Sequence, residues 1–249
     1  TEAIHQNVVK SIEVPKKIHR DKLEIYPSSK FSEKWKDFID LGVTEWRKSH
    51  EYHFKSKKKS ILFIMTDDTT NCDDVAKFLE NYYDDLKGQI LTIHTNEKGE
   101  ITDNLGTKKK ISKDELSELR KIANTIDDFE NPYKVIVSVL MLKEGWDVNN
   151  VTTIVGLRPY EKPKILPEQT LGRGLRKMYR EENLRERLTV IGTPNFMEFA
   201  SELEKEGVEI KEIDVGEDVI NDFYISSEVT ENEKKLDDHD IEFPFIIEN

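Results

Sequence analysis

Short apolar runs alternate with amphipathic segments along residues 60–205. Runs of about four to eight residues rich in Val, Ile and Leu are typical of strands inside a sheet, and their alternation with helical patterns is typical of a parallel sheet with crossover helices. We therefore predict five core strands. They are ILFIM at 61–65, QILTIH at 89–94, KVIVSVL at 134–140, VTTIVGL at 151–157 and RLTVIG at 187–192.

Helices are predicted between these strands. Thr70 or Asn71 is suited to cap the first, and Ser112 with Glu115 forms a capping-box pattern that opens the second. Residues 95–110 are polar and contain glycine, which predicts a loop or a surface insertion. The expected helices run to about Tyr83, from Ser112 to Asn131-Pro132, and from Phe196 to Lys205.

The segment before the core adds one strand and one helix. NVVKSIEV at 7–14 predicts the strand, and aromatic and aliphatic residues within 31–46 mark the helix. The whole pattern predicts an α/β fold, a three-layer sandwich in which helices flank a mostly parallel central sheet. Residues 1–58 form the entry strand and helix, and residues 59–207 form the core. We expect residues 208–249, with short apolar islands in a charged background, to be irregular or partly ordered, as an acidic extension or a linker to a following domain.

The net charge of −12 is concentrated near the carboxyl terminus. Residues 201–249 contain 17 Asp and Glu against 4 Lys and Arg, a balance of −13, which leaves +1 for residues 1–200. Basic spots remain at 55–59 and 108–110. A nearly neutral body with local basic spots neither establishes a nucleic-acid footprint nor excludes one.

The chain has the composition of a soluble, cytoplasmic protein. It contains no apolar run approaching the roughly 20 residues that span a bilayer, and it opens with no secretory signal, so we expect no membrane partner. Its single cysteine, Cys72, excludes an internal disulfide. His50 and His53 can share a helix face, but zinc needs further ligands, so we interpret them as a solvated pair and predict no metal site. The start at Thr1 rather than Met suggests a fragment of a longer protein.

The stretch LPEQTLGRGLRKMYR, residues 166–180, combines helical periodicity with two glycines. At about 100° per residue, one amide, one glycine and two arginines share a narrow stripe opposite three apolar side chains. Such a helix presents its guanidiniums beside a gap where a partner can approach the backbone, and two arginines one turn apart suit a polyphosphate. The alternative is an exposed helix whose arginines pair with acidic neighbours. The stripe consists of Gln169, Gly172, Arg173 and Arg176, and the opposite face of Leu171, Leu175 and Met178.

A second polar segment, LMLKEGWDV, follows the third predicted strand. Open parallel sheets bind ligands beyond the carboxyl ends of their strands, so we expect the site there. Gly145 permits a tight connection between adjacent strands, and the carboxylates of Glu144 and Asp147 can accept hydrogen bonds from hydroxyls, amides or an arginine. A purely structural turn is the alternative for this segment.

The order of these motifs resembles the second RecA-like domain of superfamily 2 helicases. Three stretches are most similar in sequence to the Res subunit of type III restriction enzymes and to related DEAD/DEAH-like translocases. They are MLKEGWDVNNVTTIVGLRP, QTLGRGLR and VIGTPNFMEFA. The resemblance runs from about Ala3 to Glu206 and implies a RecA-like sandwich. It also implies that Arg173 and Arg176 reach the nucleotide γ-phosphate as arginine fingers and that Gln169 helps to organise the cleft between two such domains.

The resemblance extends to the rest of the expected ATP cleft. Gly145 and Asp147 match a motif whose aspartate lies near the nucleotide ribose. Glu144 and Gly172, which lie next to the matched residues, complete the expected cleft.

Contacts with DNA are expected at the ends of two strands. Thr66, His94 and Thr95 occupy positions where domains of this family touch the phosphate backbone, and short polar side chains suit that contact. Val139 stands where many helicases have a threonine, which puts the strand-end contribution to DNA binding in doubt.

The resemblance implies an ATP-dependent helicase or translocase as the parent protein. ATP with Mg would be bound mainly by the first RecA-like domain, because this chain contains neither a GxxxxGK[ST] phosphate loop nor an adjacent DExx segment. The chain alone is therefore expected to be inactive. The implied partners are double-stranded DNA, the first RecA-like domain and a modification methyltransferase subunit.

Two alternatives remain open. The same domain can come from a defence or repair helicase without a nuclease, whereas a type III enzyme also has endonuclease activity. A self-sufficient module that binds a phosphate ligand or another protein is the alternative from a different class. Glu209-Ile210-Lys211 fits the E-x-K part of a nuclease site, but such a match arises readily by chance in a chain that is 35% charged.

Overall fold

A central sheet with helices on both sides organises the chain. In the computed structural model the described residues are 9–93, 100–102, 108–110, 121–139, 148–157, 172, 174–179, 186–205 and 208–216.

The described residues include nine strands, and six of them coincide with runs predicted from the sequence. The nine strands are β1 (Ser11–Pro15), β2 (Ile61–Met65), β3 (Ile90–Ile93), β4 (Glu100–Thr102), β5 (Lys108–Lys110), β6 (Val135–Ser138), β7 (Val151–Gly156), β8 (Arg187–Gly192) and β9 (Ile210–Ile213). Seven of them form one sheet in the order β3-β6-β2-β7-β8-β1-β9, and every pairing in it is parallel. The predicted parallel α/β architecture is confirmed.

Both faces of this sheet are buried. In β2, Ile61, Phe63 and Met65 belong to one apolar cluster, whereas Leu62 and Ile64 belong to the other. All five side chains are completely buried. Alternate side chains of a strand point to opposite faces, so a strand covered on both sides must be apolar at every position.

Helices supply the cover on each face. The described helices are α1 (Lys17–Arg20), α2 (Phe31–Lys34), α3 (Lys36–Phe54), α4 (Thr69–Tyr82) and α5 (Pro194–Lys205), with a 3₁₀ turn at Asp84–Leu86. The buried sides of α3 and α4 pack in the cluster that includes Leu62, and α5 and the helical residues 121–124 pack in the opposite cluster. The result is the three-layer sandwich expected from the sequence. None of the described helices is both long enough and apolar enough to cross a bilayer.

The ends of two helices differ from the prediction. α4 is capped by Asp68, whose carboxylate accepts a hydrogen bond from the amide of Asn71 at 2.8 Å, so the cap lies before Thr70. On the opposite face, helical residues 121–124 are followed by a turn, and the helix does not reach Asn131. Both differences arise because capping depends on which side chain reaches a free amide, and the periodic pattern does not specify that.

Part of the expected loop at 95–110 is regular. β4 and β5 form a separate antiparallel pair in which Glu100 lies opposite Lys110 and Thr102 opposite Lys108. Of the two expectations for this segment, a loop or a surface insertion, the separate pair fits the insertion. The pair lies outside the central sheet and lacks the apolar pattern by which core strands are recognised.

The sheet extends past the boundary expected at residue 207. β9 pairs in parallel with β1, so Ile210–Ile213 belong to the ordered part of a segment expected to be irregular or partly ordered. Ion pairs at the same edge join Lys16 to Asp214 at 2.7 Å and Arg20 to Glu212 at 2.8 Å. Because β9 is an edge strand with partly exposed side chains, its sequence shows little of the apolar character that marks the central strands.

One aromatic ring fills the space left by two glycines at the carboxyl end of the sheet. Gly156 of β7 and Gly192 of β8 are partners in the ladder, and Phe196 of α5 packs over both. A Cβ atom added at Gly156 would lie 2.3 Å from the Phe196 ring, and one added at Gly192 would lie 2.5 Å from it. The first turn of α5 therefore approaches the sheet closely only because these two positions have no side chain.

We expect Gly192→Ala to lower the free energy of unfolding by about 1–3 kcal/mol, because the added methyl group would overlap the Phe196 ring. Urea denaturation followed by circular dichroism would measure the loss. Gly172→Ala is the matched control, since a Cβ atom at this exposed helical position would meet nothing within 4 Å. Equal stability of the two variants would contradict the packing described for Phe196.

Candidate functional site

The structure describes three of the residues predicted to form the site. Gly172 and Arg176 lie in the arginine-containing stretch, and Thr66 directly follows β2. The other predicted residues lie outside the described residues, and their roles remain predictions. These are Glu144, Gly145, Asp147, Gln169, Arg173, His94 and Thr95.

The helix of the arginine-containing stretch ends earlier than its periodicity predicts. Gly172 and Gly174 are helical, but Leu175 is in a turn and Arg176 is in a bend. The expected stripe, in which Arg176 follows Gly172 on the same helix face, is therefore wrong. Met178 is buried as expected, but it lies outside the helix.

Glu186 explains why the helix stops. In a continuing helix the amide of Met178 would donate to the carbonyl of Gly174, and the amide of Tyr179 would donate to that of Leu175. Both amides instead donate to the Glu186 carboxylate, at 2.7 Å from Met178 and 2.9 Å from Tyr179. A buried side chain next to β8 thus takes the place of the helical acceptors.

The two glycines of the stretch have different surroundings. A Cβ atom at Gly174 would lie 2.8 Å from Leu188 and 2.9 Å from Ile154, so this glycine lets the helix approach β7 and β8. Gly172 is exposed and has open space around it. Only Gly172 therefore provides the gap beside the backbone that the sequence suggested.

Residues 175–179 lie at the edge of the sheet where the strands begin. The carbonyl of Leu175 accepts a hydrogen bond at 2.8 Å from the amide of Lys10, which immediately precedes β1. Glu186, which binds the other end of the segment, immediately precedes β8. These residues therefore do not lie beyond the carboxyl ends of the strands, where open parallel sheets bind ligands. The reason is topological, because a segment that leads into a parallel strand must return to the edge where that strand begins.

The LMLKEGWDV segment leads to the same edge. It connects β6 to β7, and β2 lies between these strands, so the expected tight connection between adjacent strands is wrong. The described chain resumes at Val148, and Asn149 and Asn150 immediately precede β7. Both predicted site segments therefore end beside each other at the amino-terminal edge.

Lys10 lies between these two segments with its ammonium completely buried. Its Nζ donates to the carbonyls of Asn149 and Val151, each at 2.6 Å. Burial lowers the pKa of Lys10 to about 8, and the negative charges of Glu186 and Asp127 act against this shift. Lys10 was not expected to be a site residue, and its signal in the sequence is a lysine within a predicted buried strand.

Asp127 and Lys59 continue the polar network along this edge. The Asp127 carboxylate accepts hydrogen bonds from the amides of Asn149 at 2.7 Å and Asn150 at 3.4 Å. Burial raises the pKa of Asp127, and these hydrogen bonds oppose the shift. Lys59 donates from Nζ to the carbonyl of Asn131 at 2.6 Å, and burial lowers its pKa to about 8. Buried groups of both signs thus hold the connections that lead into β2 and β7.

His50 and His53 are not the solvated pair expected from the sequence. His53 is 7% exposed, and its Nδ1 lies 3.1 Å from the hydroxyl of Tyr179. His50 stacks on Trp46 with ring centroids 5.1 Å apart. Burial lowers the pKa of each histidine to about 4, so both are neutral at pH 7. In the described part of the chain, no group of three or more His, Cys, Asp or Glu residues is arranged to hold a metal ion.

Thr66, the expected contact for a nucleic-acid backbone, is completely buried. Its hydroxyl donates to the carbonyl of Asp68 at 3.1 Å and lies 2.9 Å from the sulfur of Cys72. Thr66 follows β2 as expected, but its side chain packs against the start of α4. The exposure that a phosphate contact by its side chain requires is not observed.

Comparison with solved structures finds helicase domains. The C-terminal domain of S. cerevisiae Dbp5, in a complex with Gle1 and IP6, has 16% sequence identity and a TM-score of 0.42, over 83% of this chain and 90% of that one. Domain 2 of the DEAD-box helicase Mss116p, bound to an RNA duplex, has 14% identity and a TM-score of 0.44, over 84% of this chain and 65% of that one. T4 UvsW has 14% identity and a TM-score of 0.35, over 82% of this chain and 41% of that one.

These likenesses are distant. At such identities and TM-scores they give no basis for assigning a ligand, an activity or a residue's role to this chain. The chain also spans less than half the length of UvsW and about two thirds of the Mss116p chain. No protein-family model and no curated protein matches the sequence.

The buried histidines predict a loss of stability in mild acid. A histidine has an ordinary pKa of 6.5, whereas that of folded His53 is about 4, so between these values the unfolded chain binds more protons. The free energy of unfolding should therefore fall as the pH decreases from about 6.5 to about 4. We expect His53→Gln to reduce this fall by roughly 2–3 kcal/mol. Urea denaturation at a series of pH values would test this, and an unchanged pH dependence in the variant would be inconsistent with a neutral, buried His53.

Proposed function

We propose that this chain is the second RecA-like motor domain of an ATP-dependent nucleic-acid translocase or helicase. The observation that carries the proposal is the sequence Gln-x-x-Gly-Arg-x-x-Arg at residues 169–176, leading into β8 of a parallel sheet. A second observation supports it, since Lys10 joins residues 175–179 to residues 149–151, which follow the Gly-x-Asp motif. The described residues that flank these two motifs are therefore joined through one side chain, which is the arrangement expected if the motifs serve one site.

The proposed role of the arginines is electrostatic. Charge on the γ-phosphate oxygens changes during phosphoryl transfer, and a guanidinium is always protonated and binds two oxygens at once. We assign Arg173 and Arg176 to this contact and Gln169 to the organisation of the cleft. Gly145, Asp147 and Glu144 are assigned to the ribose side of the same nucleotide.

ATP and Mg would be held between this domain and a first RecA-like domain. The open space at Gly172 fits such an arrangement, because a side-chain-free position on an exposed helix lets another surface approach the backbone. The phosphate loop and the acidic segment that binds Mg would come from the first domain. This chain would contribute the arginines and a contact with the nucleic acid, for which His94 and Thr95 remain candidates.

The more specific proposal is a Res subunit of a type III restriction-modification system. This proposal is supported by the resemblance in sequence of MLKEGWDVNNVTTIVGLRP, QTLGRGLR and VIGTPNFMEFA to that subunit. The nucleic acid would then be double-stranded DNA, and the partner a modification methyltransferase. Cleavage of DNA by the purified parent protein together with that methyltransferase would support this assignment, and ATP-dependent unwinding without cleavage would favour a repair or defence helicase.

We expect Arg173→Ala in the intact protein to lower kcat for DNA-stimulated ATP hydrolysis by on the order of 10³ or more, because arginine fingers contribute about this much. A coupled phosphate-release assay would measure it. Arg47→Ala is the matched control, since Arg47 is half exposed on α3 and forms a surface ion pair with Asp85, so its loss should leave kcat within about twofold. Activity of Arg173→Ala within about twofold of wild type would exclude the arginine-finger role.

Gly172→Ala should separate function from stability. Alanine favours a helix over glycine by up to about 1 kcal/mol, so the variant should be as stable as wild type or slightly more stable. We nevertheless expect a higher KM for ATP and a lower kcat in the intact protein, because the new methyl group would occupy the gap into which the partner domain moves. Unchanged kinetic parameters would show that no surface approaches this position during the reaction.

A further inference from the structure

Lys10 contacts the arginine-containing stretch and the residues that directly follow the LMLKEGWDV segment. Its backbone amide donates to the carbonyl of Leu175, the residue before Arg176. Its ammonium donates to the carbonyls of Asn149 and Val151. One residue immediately before β1 therefore links two segments that are more than 20 residues apart in the chain.

Glu186 makes a second set of contacts to the same region. Its carboxylate binds the amides of Met178 and Tyr179, and its own carbonyl accepts hydrogen bonds from the amide of Ser11 at 2.8 Å and the hydroxyl of Ser11 at 3.2 Å. Its negative charge also favours the protonated form of Lys10. Residues 175–179 are thus fixed at one end by Lys10 and at the other by Glu186.

Stability alone is a poor explanation for this arrangement. An isolated ammonium is costly to bury, and well-packed apolar residues commonly replace buried ionic groups with little loss of stability or with a gain. An ammonium with two carbonyl partners does, however, fix the distance between those carbonyls and its own backbone. An apolar side chain of the same volume imposes no such directional constraint.

We propose that Lys10 and Glu186 are positioning residues for the nucleotide site, which hold the arginine-bearing segment in register with the segment that follows the Gly-x-Asp motif. This inference rests on the proposed function, because it requires Arg176 and Asp147 to serve one nucleotide. Neither Lys10 nor Glu186 would touch ATP. Both would act by setting where the chain carrying those side chains runs.

The expected effect is on the chemical step. Misplacement of a catalytic group by about 1 Å can lower a rate by about 10²-fold, whereas binding of the remainder of the substrate is little affected. Loss of Lys10 should therefore lower kcat for ATP hydrolysis more than it raises KM.

The test compares three variants of the intact protein. Lys10→Met removes the charge and both ammonium hydrogen bonds at similar volume, and Glu186→Gln keeps the shape but offers only one acceptor for the two amides. Leu79→Ala is the control for lost stability, because Leu79 is completely buried in α4 and packs in the apolar cluster on the α3–α4 side of the sheet. Steady-state kinetics with ATP and DNA, and amide hydrogen exchange on the same samples, would be measured.

For Lys10→Met we expect kcat to fall by about 10²-fold with KM changed by less than about threefold, and for Glu186→Gln a smaller fall in kcat. Amide exchange of residues 148–151 and 174–179 should become at least about tenfold faster in Lys10→Met, with residues 61–65 of β2 unchanged. Leu79→Ala should keep the wild-type kcat even if its denaturant midpoint falls as far as that of Lys10→Met.

A Lys10→Met enzyme with wild-type kcat would overturn the inference. An equal loss of kcat in Lys10→Met and in Leu79→Ala would also overturn it. Unchanged exchange at residues 148–151 and 174–179 would also overturn it, and that result does not depend on activity. Failure of the proposed function is distinguished by Arg173→Ala. If that variant retains its activity the arginine role is wrong, whereas if it loses activity and Lys10→Met does not, only the positioning role is wrong.

Discussion

All seven strands of the central sheet begin at one edge, and the polar backbone groups gathered at that edge must find partners inside the protein. A buried carbonyl or amide without a hydrogen bond is costly, so the connections into the strands are constrained by which side chains can reach them. Lys10, Asp127 and Glu186 meet this requirement with charged groups that bind backbone atoms. The paths of the chain into β7 and β8, and the end of the arginine-bearing helix, depend on these contacts.

The described residues that flank the two motifs of the proposed site are placed by this constraint. Residues 148–150 lead directly into β7, and residues 175–179 are held by Lys10 and Glu186, which directly precede β1 and β8, so both groups lie at the edge where the strands begin. The Glu186 carboxylate accepts hydrogen bonds from two amides that would otherwise bind helical carbonyls. Gly174 lets the helix lie close to the sheet, and Gly172 leaves open space on the exposed side of the helix. The two glycines that seemed to share one purpose in the sequence therefore serve opposite sides of one helix.

Much of the fold could be predicted because the burial of apolar side chains, which drives the formation of the sheet, leaves a pattern in short stretches of the sequence. A strand covered on both faces is mainly apolar, and β2, β7 and β8 were located to within a residue from their apolar runs. β9 was missed because an edge strand is held by backbone pairing and by ion pairs such as Lys16 with Asp214, which leave no apolar pattern. The end of the arginine-bearing helix was missed for a related reason, since its terminating partners lie about ten residues ahead in the chain, at Glu186, and far behind it, at Lys10.

The candidate site was less predictable than the fold. Side-chain type and spacing indicated phosphate chemistry at Arg173 and Arg176, but they contain no information on which edge of the sheet a segment reaches. The same limit applies to Thr66 and His53, whose polar character suggested exposure although both are buried and hydrogen-bonded. Polar residues in a sheet protein are ambiguous in this way, because satisfying a buried backbone group and meeting a ligand call for the same chemistry.

The parallel pairing of β9 with β1 also determines how the domain bears mechanical load. The chain enters the pair at Lys10, at the edge where strands begin, and leaves it at Gly216, which is fastened to α3 by hydrogen bonds with Glu45 and Lys48 at the opposite edge. Tension between these two points pulls the strands past each other along their length. Their hydrogen bonds are then strained together rather than opened one after another, so this edge of the sheet resists separation in that direction.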